Sequence, residues 1–226
     1  MPDIAVLIPA LNCGSTIAAV VAGARQHLVD VLVVDDGSAD DTAAAARAAG
    51  AEVVGHARPS GKGAALLTGM RALAERGTRR VLTMDGDGQH LPAEIPSLLR
   101  ASAAEPAALI VGARRFETVA AAPIKLFGNR FANRWVAIAC GQALPDTQSG
   151  FRVYPVEATL ALRVRARHFA FETEVLIRAV RAGIRIRSVP VDVYYPPLDE
   201  RVSHFRPFLD TLRIILVVLG LILRLW

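Results

Sequence analysis

A run of apolar residues leads directly into two acids in the stretch Val81-Leu82-Thr83-Met84-Asp85-Gly86-Asp87-Gly88-Gln89-His90. The apolar half has the length of a buried strand. The D-x-D that follows offers two carboxylates, and carboxylate oxygens suit Mg²⁺ or Mn²⁺ held together with the oxygens of a diphosphate. An Asp- and Gly-rich turn is the alternative interpretation. An EF-hand loop is excluded because Leu91-Pro92 follows and no Glu closes a twelve-residue loop.

Composition limits the class of protein. The 226 residues are 53% apolar, which suffices for one well-filled domain with a small appendage. Cys13 and Cys140 are too few and too far apart for a disulfide framework or a zinc knuckle, so we expect a reducing compartment. The formal net charge of +5 indicates an anionic partner. The first apolar run, Ile4–Pro9, has the length of a strand, and we predict no signal peptide.

Short β-branched runs alternate with Ala-rich helical stretches through the first half of the chain. The runs are apolar without alternation, as in strands of a parallel sheet that are buried on both faces. The predicted strands are Ile4–Ile8, Val31–Val34, Glu52–Val54, Val81–Met84 and Leu109–Val111. The predicted helices are Ser15–Gln26, Asp41–Ala49, Lys62–Arg76 and Pro92–Ala101, with Ser15 and Asp41 as N-caps. This order predicts an α/β fold with an open, mostly parallel sheet flanked by helices.

Polar or Gly-rich turns come at or shortly after the end of each predicted strand. They are Pro9-Ala10-Leu11-Asn12, Asp35-Asp36-Gly37-Ser38, Gly61-Lys62-Gly63, Asp85-Gly86-Asp87 and Gly112-Ala113-Arg114. Ligands of open parallel sheets bind beyond the carboxyl ends of the strands, so these turns are expected to form one rim. Lys62, between two glycines at a helix N-terminus, can meet an anion there.

The sequence lacks the glycine motifs of two nucleotide-binding classes. Five residues, rather than four, separate Gly55 from Gly61-Lys62, and Gly63 stands where a P-loop has Ser or Thr. No G-x-G-x-x-G follows the first strand, so dinucleotide oxidoreductase chemistry is unsupported. The basic run 163–167 has no interleaved aromatic residues, and we predict no nucleic-acid partner.

The second half of the chain is less regular. Pro123–Cys140 resembles one amphipathic helix, Phe171–Ala182 is helical and carries Glu172 and Glu174, and Ile186–Tyr195 is rich in β-branched residues. A polar loop over residues 146–150 precedes a short apolar run.

The C-terminal segment from Phe208 to Trp226 is apolar, but its uninterrupted part, Ile214–Leu223, is too short for a bilayer, which needs about 20 residues. We predict a helix in the membrane interface, with Trp226 as an anchor. A core or oligomer helix and a helix that docks a membrane-protein partner are the alternatives. We therefore divide the chain into a domain over residues 1–206 and a C-terminal amphipathic helix over residues 207–226.

Taken together, the motifs resemble the family 2 glycosyltransferases, and within them the dolichyl-phosphate mannose synthase or polyprenyl-phosphate glycosyltransferase branch. The similarity covers about residues 1 to 206. The matching motifs, in family order, are Ile8-Pro9-Ala10-Leu11-Asn12, Val34-Asp35-Asp36-Gly37-Ser38, Gly61-Lys62-Gly63, Met84-Asp85-Gly86-Asp87-Gly88-Gln89-His90, Gly112-Ala113-Arg114, Ser149-Gly150-Phe151-Arg152, Phe171-Glu172-Thr173-Glu174, Val189-Pro190-Val191 and Arg201-Val202-Ser203-His204.

The resemblance implies a GT-A type nucleotide-sugar-binding fold and a metal-dependent hexosyltransferase. The residues implied for the nucleotide sugar, with Lys62 added as an anion contact, are Pro9, Leu11, Cys13, Val34, Asp36, Lys62, Asp85, Gly86, Asp87 and Arg114. The implied ligands of Mg²⁺ or Mn²⁺ are Asp85, Asp87 and Gln89. Arg201 and Ser203 would hold the acceptor phosphate, and the catalytic residues would be Asp85, Asp87 and Asp146.

Three positions depart from the family pattern. Leu11 stands where the family usually has an aromatic residue, and Cys13 stands where it usually has Glu. His204 replaces a lysine after Ser203, so a group that titrates near neutrality takes the place of a permanent cation.

The expected reaction is the inverting transfer of a hexose from a GDP- or UDP-linked sugar to a polyprenyl phosphate. The protein would be peripheral at the inner, cytoplasmic face of the cell membrane, with a membrane protein or a second copy as further partners. The acceptor phosphate is already ionised, so alignment and stabilisation of the departing diphosphate matter more than a base. One alternative is a saccharide or other hydroxyl acceptor, which would make Asp146 an indispensable base. The other is a non-catalytic nucleotide-sugar-binding subunit.

Overall fold

A computed structural model describes residues 3–115, 136–194 and 207–223, the last of these with side chains from residue 212 onward. Within these residues seven strands form one sheet. They are β1 Ile4–Ala10, β2 Val31–Asp35, β3 Glu52–Gly55, β4 Arg80–Thr83, β5 Leu109–Arg114, β6 Arg152–Pro155 and β7 Ile186–Val191. The predicted α/β class with an open, mostly parallel sheet is confirmed.

The strand order is β3-β2-β1-β4-β6-β5-β7, and β6 is antiparallel to both of its neighbours. The other neighbouring pairs are parallel. Because β6 runs in reverse, its first residue, Arg152, lies beside Thr83 near the end of β4 and beside Val111 of β5. The loop before β6 therefore reaches the same edge of the sheet as the loops that follow the parallel strands.

Helices cover both faces of the sheet. They are α1 Ile17–Arg25, α2 Thr42–Ala48, α3 Lys62–Glu75, α4 Ile95–Ala104, α5 Val156–Ala161, α6 Phe171–Arg181 and α7 Pro207–Ile222. Alternate strand residues point to two separate cores, so Leu7 and Val34 pack with α3, α6 and α7, whereas Val6 and Ile8 pack with α1 and α4. Residues 136–140 are helical, and the rest of the predicted helix Pro123–Cys140 lies outside the described residues.

Helix starts differ in detail from the prediction. The N-cap of α1 is Thr16, so the assignment of Ser15 was wrong. The Thr16 hydroxyl donates to the carbonyl oxygen of Gly86 (2.6 Å), which ties the start of α1 to the D-x-D loop. Asp41 is the N-cap of α2, but the carboxylate that accepts the Thr42 N–H belongs to Asp40. Pro92 begins a 3-10 turn, Pro92–Glu94, that leads into α4.

Helix α7 packs one side against the core and exposes the other. Its buried side chains are Ile214, Val217, Val218 and Leu221. Arg181 of α6 donates through Nη2 to the carbonyl oxygen of Leu221 (2.9 Å). Its exposed apolar side chains are Leu212, Leu216, Leu219 and Ile222, and Leu223 just after the helix is exposed as well. The predicted domain boundary at residue 206 lies outside the described residues. Nowhere in the described ranges is a helix long and apolar enough to cross a membrane.

Candidate active site

The loop after β2 is held by hydrogen bonds to Asp35, the last residue of that strand. Asp35 accepts hydrogen bonds from the backbone N–H (3.0 Å) and the hydroxyl of Ser38. The Ser38 hydroxyl in turn accepts the N–H of Asn12 (2.8 Å), which joins this loop to the one after β1. Asn12 has a φ of 47°, a left-handed conformation that Asn tolerates better than most residues, and its Oδ1 accepts the N–H of Ala39.

Asp36 is buried, and protein groups occupy both of its carboxylate oxygens. Oδ1 accepts the N–H of Ser60 (2.9 Å) and Oδ2 accepts the N–H of Gly61 (2.8 Å). His56 Nδ1 lies 2.6 Å from Oδ1, and since a carboxylate only accepts, Nδ1 carries the hydrogen. Asp36 therefore fixes the loop that leads into Lys62.

The D-x-D loop follows β4 on the other side of β1. The backbone N–H of Asp85 donates to Nδ1 of His90 (3.0 Å), and the His90 ring stacks on Phe151 with centroids 4.9 Å apart. Asp87 accepts the N–H of Gln89 through Oδ1 (3.0 Å) and the Gln89 side-chain amide through Oδ2 (2.9 Å). The predicted metal ligands Asp85, Asp87 and Gln89 thus belong to one tight turn.

Lys62 connects this turn to helix α6. Its Nζ lies 2.7 Å from Asp85 Oδ1 and 2.8 Å from Glu172 Oε1. Gly150 closes over the pair, because a Cβ there would lie 2.7 Å from Lys62 Nζ and 2.8 Å from Asp85 Oδ1. Any larger residue at position 150 would push into the ion pair.

The two acids of the D-x-D differ in their proton affinity. Burial alone would raise the pKa of Asp85, but the charge of Lys62 and its hydrogen bond, together with the charge of Arg114, outweigh burial and lower it. Burial, together with the charge of Asp85, raises the pKa of Asp87 to about 6. Burial lowers the pKa of His90 to about 4, which agrees with a neutral ring whose Nδ1 accepts a hydrogen bond.

The predicted nucleotide residues of β1 and β2 fall into two groups. Pro9 and Val34 are register partners in neighbouring strands, and the Val34 side chain lies in the core. Leu11 is partly exposed on the loop after β1. Cys13 is buried next to Gly86, and burial raises the pKa of its thiol to about 11. Its N–H donates to the hydroxyl of Thr42 (2.8 Å).

Arg114 and Asp146 form a bidentate ion pair. Arg114 Nε lies 2.6 Å from Asp146 Oδ2, and Nη2 lies 3.0 Å from Oδ1. The backbone N–H groups of Arg114 and Gln148 also donate to this carboxylate. The contacts described for Asp146 are thus with Arg114 and Gln148.

The loop before β6 is held by a fully buried cation. Arg152 donates to the backbone carbonyl oxygens of Ser149 (2.7 Å), Thr147 (2.8 Å) and Glu172 (2.9 Å). Three backbone carbonyls therefore fix the loop that carries Asp146 and Gly150, and they join it to the start of α6.

The predicted acceptor-phosphate residues, Arg201 and Ser203, lie outside the described residues, as does His204. The chain that leads to them leaves from beside the D-x-D turn. The N–H of Tyr194 donates to the Gln89 carbonyl oxygen (2.9 Å), and Val193 forms a bridge with His90.

Glu172, Gly150 and Arg152 acquire roles that were not assigned from sequence. The motifs containing them were visible in the resemblance, but a buried contact between residues 62 and 172 has no local sequence signal. Among the described residues no group of three or more His, Cys, Asp or Glu side chains forms a metal cluster. The predicted set therefore relies on two carboxylates and an amide.

Residues 5–160 match the family described as glycosyl transferase family 2. The chain belongs to this family. The resemblance predicted from the motifs is confirmed, including the branch, because named relatives are polyprenyl-phosphate glycosyltransferases.

Three relatives illustrate the similarity. Glycosyltransferase AglJ of Haloferax volcanii is 32% identical over 213 residues, covering 92% of this chain and 69% of the relative. Undecaprenyl-phosphate mannosyltransferase of Micrococcus luteus is 31% identical, over 76% of this chain and 74% of the relative. Polyprenol monophosphomannose synthase of Mycolicibacterium smegmatis is 31% identical, over 82% and 75%.

The fold is also found among solved structures. Glucosyl-3-phosphoglycerate synthase of Mycobacterium tuberculosis, solved with Mn²⁺, uridine diphosphate and glucosyl-3-phosphoglycerate, superposes with a TM-score of 0.76 at 25% identity. The match covers 96% of this chain and 79% of that one. The GT-A type fold implied by the motifs is confirmed by this similarity.

Proposed function

We propose that this family 2 glycosyltransferase moves a hexose from a GDP- or UDP-linked sugar to a polyprenyl phosphate, with inversion, at the inner face of the cell membrane. The observation that carries the proposal is the arrangement at the sheet edge, where the D-x-D acids, Lys62 and Arg114 converge. The named polyprenyl-phosphate transferases among the relatives support the acceptor class.

The residues at the D-x-D turn fit a divalent ion. Asp85 and Asp87 supply hard oxygen donors, and the raised pKa of Asp87 reflects burial and a neighbouring like charge that a cation would relieve. Lys62 contacts Oδ1 of Asp85, and the Gln89 amide N–H contacts Asp87, which leaves further lone pairs on both acids. Asp85, Asp87 and the Gln89 amide oxygen would hold Mg²⁺ or Mn²⁺, which when bound neutralises charge on the donor diphosphate.

The chain's own cations complete the donor half of the site. Lys62 is charged because Asp85 and Glu172 outweigh the effect of its burial on its pKa. Its position at the first residue of α3, at the positive end of the helix dipole, suits an anionic group. We assign Lys62 to the donor diphosphate, and Pro9, Leu11, Cys13, Val34, Asp36 and Gly86 to the walls and loops of the nucleotide pocket.

The contacts of Asp146 favour a phosphate acceptor. A hydroxyl acceptor requires a base, but both oxygens of Asp146 are engaged by Arg114. A phosphate monoester is ionised at neutral pH and needs alignment more than deprotonation. We therefore assign Asp146 to positioning Arg114, whose guanidinium would face the phosphate groups, and Arg201 and Ser203 to the acceptor phosphate.

A hydroxyl acceptor remains the second candidate for a specific reason. The solved structural neighbour is named for a glucosyl-3-phosphoglycerate product, which contains a glycosylated hydroxyl group. In that case Asp146 would have to leave Arg114 and act as a base. A non-catalytic subunit is disfavoured by the complete Asp85, Asp87 and Gln89 set.

The exposed side of α7 supports a membrane-surface location. Its exposed leucines repeat at helical spacing, and an interfacial helix binds in proportion to the apolar area that it buries. Because the opposite side of α7 is packed in the core, we propose that the helix lies along the surface of the domain and presents Leu216 and Leu219 to lipid.

A panel of nucleotide sugars tests the reaction. The full chain is incubated with each labelled GDP- or UDP-sugar, Mg²⁺ or Mn²⁺, and either a polyprenyl phosphate or a soluble sugar acceptor. We expect label in an organic-soluble, acid-labile product with one donor class, and loss of transfer in EDTA. Transfer only to the soluble acceptor, together with inactivation by Asp146→Asn, would instead establish the hydroxyl-acceptor reaction.

Vesicle sedimentation tests the membrane surface. Leu216→Glu combined with Leu219→Glu should release the protein from anionic vesicles without loss of secondary structure, because both side chains are exposed. Val29→Glu, at another exposed apolar residue, is the matched control and should leave binding unchanged. Retained binding by the double variant would refute the role of α7.

A further inference from the structure

Glu172 is a buried carboxylate at the start of α6, and Lys62 is its charged neighbour. The exposed fraction of the Glu172 side chain is 2%, and Lys62 Nζ lies 2.8 Å from its Oε1. The described residues supply no well-aligned hydrogen bond to either carboxylate oxygen. An unpaired buried charge is strongly unfavourable. Among the described residues, the contact with Lys62 compensates for the burial of the Glu172 charge.

The backbone around the pair is closely packed and hydrogen-bonded. The N–H of Ala64, in the first turn of α3, donates to the carbonyl oxygen of Arg167 (3.0 Å) just before α6. A Cβ on Gly63 would lie 2.6 Å from the carbonyl oxygen of Ala166, so the two segments meet at backbone distance. Arg152 holds the carbonyl of Glu172 itself (2.9 Å). The separation of Glu172 from Lys62 is thus set by the fold.

Lys62 is shared between two carboxylates with different surroundings. Asp85 is partly exposed, with 27% of its side chain accessible, and it belongs to the set assigned to the donor and the metal ion. Glu172 is enclosed, with 2% of its side chain accessible. If Glu172 lost its charge, Asp85 would be the closest remaining acid partner described for Lys62, and the ammonium group would move toward it.

We propose that Glu172 is a positioning residue that holds the Lys62 ammonium group at the edge of the sheet, where this group meets the diphosphate of the nucleotide sugar. Glu172 acts through Lys62 and makes no contact of its own with the donor. The inference rests on the proposed donor class and adds a residue to that site.

The direction in which one substitution changes the affinity for the diphosphate separates this role from a simple effect of charge. Glu172→Gln removes a negative charge from an anion-binding site, so charge alone would strengthen diphosphate binding. Loss of the Lys62 position would weaken it. Titration calorimetry of UDP and of GDP into the full chain, at saturating Mg²⁺, measures the outcome. We expect the Kd of the better nucleotide to rise about tenfold in Glu172→Gln.

A double-variant cycle assigns the effect to Lys62. In a Lys62→Met background, Glu172→Gln should leave the Kd unchanged or lower it, because no ammonium group remains to be held. Glu172→Asp, which keeps the charge and shortens the reach by one methylene, should give an intermediate Kd and provides the measurement if Glu172→Gln fails to fold.

Glu174→Gln is the matched control. Glu174 is fully buried on the same helix but contacts Arg178 Nε (2.6 Å) and the N–H of Ala166 (2.7 Å) rather than Lys62. It should lower the melting temperature and leave the nucleotide Kd unchanged. Tighter or unchanged binding in Glu172→Gln, equal weakening without Lys62, or equal weakening in Glu174→Gln would overturn the inference.

The binding measurement is independent of sugar transfer. A protein that binds UDP or GDP with the expected cycle, but transfers no sugar to polyprenyl phosphate, would support the positioning role of Glu172 and overturn the proposed acceptor. If the protein transfers sugar to polyprenyl phosphate but its affinity for the diphosphate does not depend on Glu172, the proposed acceptor is supported and the positioning role of Glu172 is overturned.

Discussion

Two Asp-rich loops lie on either side of β1, and their acids have different surroundings. In the loop after β2, Asp36 accepts two backbone N–H groups and a histidine ring N–H. In the loop after β4, Asp87 accepts hydrogen bonds from Gln89, and burial together with the Asp85 charge raises its pKa to about 6. One acid is satisfied by the fold, whereas the other retains an unfavourable charge.

The difference shows how one sequence pattern serves two purposes. Both loops follow an apolar strand, and both combine two acids with glycine. Backbone donors satisfy a carboxylate permanently, and such an acid stabilises the loop that it closes. A carboxylate pressed against a like charge gains most from an added cation. We therefore expect substitutions in the first loop to change stability, and substitutions in the second to change activity.

The largest expected effect is that of Asp87→Asn. The substitution removes one of the proposed metal-binding oxygens, and we expect turnover to fall on the order of 10²-fold or more. The free energy of unfolding of the metal-free protein should not fall, because the neutral amide relieves the charge that burial disfavours and the Gln89 side-chain amide, unlike a backbone N–H, can turn its oxygen toward the new N–H. Initial rates with excess Mn²⁺, and thermal melting in EDTA, measure the two quantities. Full activity of the variant would show that the D-x-D is a structural turn.

Asp36→Asn should instead lower the stability of the fold and leave metal binding intact. An amide offers one acceptor oxygen where the carboxylate offers two, so a buried N–H of Ser60 or Gly61 would lose its partner, at a cost of about 1–3 kcal/mol. Urea unfolding should show this loss, while the metal-induced rise in melting temperature should persist. If stability were unchanged and nucleotide binding disappeared, Asp36 would be a direct ligand of the nucleotide, and the contrast between the loops would be wrong.

Much of the sheet, its flanking helices and the D-x-D turn could be predicted from sequence because the sequence signals for them are local. The five strands β1 to β5 and the helices between them follow from apolar runs and their period, and the D-x-D turn follows from its acids. The boundaries shift by one to three residues where a strand continues into a polar loop. Arg114, for example, is the last residue of β5 and pairs with Val191.

The remainder depends on contacts between distant parts of the chain. The antiparallel insertion of β6 between β4 and β5 leaves no trace in the hydrophobic pattern. Arg152 is charged yet fully buried, against the usual preference of arginine, because three carbonyl groups surround it. The Lys62–Glu172 contact joins residues that are far apart in the sequence and needs the assembled sheet. His90 follows the D-x-D in sequence, but only the fold shows that it is buried and accepts the N–H of Asp85.

The smallest expected effect is a pH dependence confined to the D-x-D loop. The pKa of Asp87 is raised from its ordinary 3.8 to about 6, so between these values the folded, metal-free protein holds a proton that the unfolded chain releases. The stability contributed by this proton is present below the ordinary pKa and is lost as the pH rises through about 6. If Asp87 is a ligand of the proposed divalent ion, the ion would take the place of this proton.

Metal affinity should accordingly weaken by about tenfold for each pH unit below 6, since proton and cation compete for one carboxylate. Thermal melting at fixed Mn²⁺ from pH 5 to pH 8 measures this competition as the metal-induced rise in melting temperature. Asp36→Asn should keep the profile, because Asp36 does not join the competition, whereas Asp87→Asn should flatten it. A metal-induced rise that is the same at pH 5 and pH 8 in the unsubstituted protein would show that the ion does not displace a proton from Asp87, and the second loop would then resemble the first.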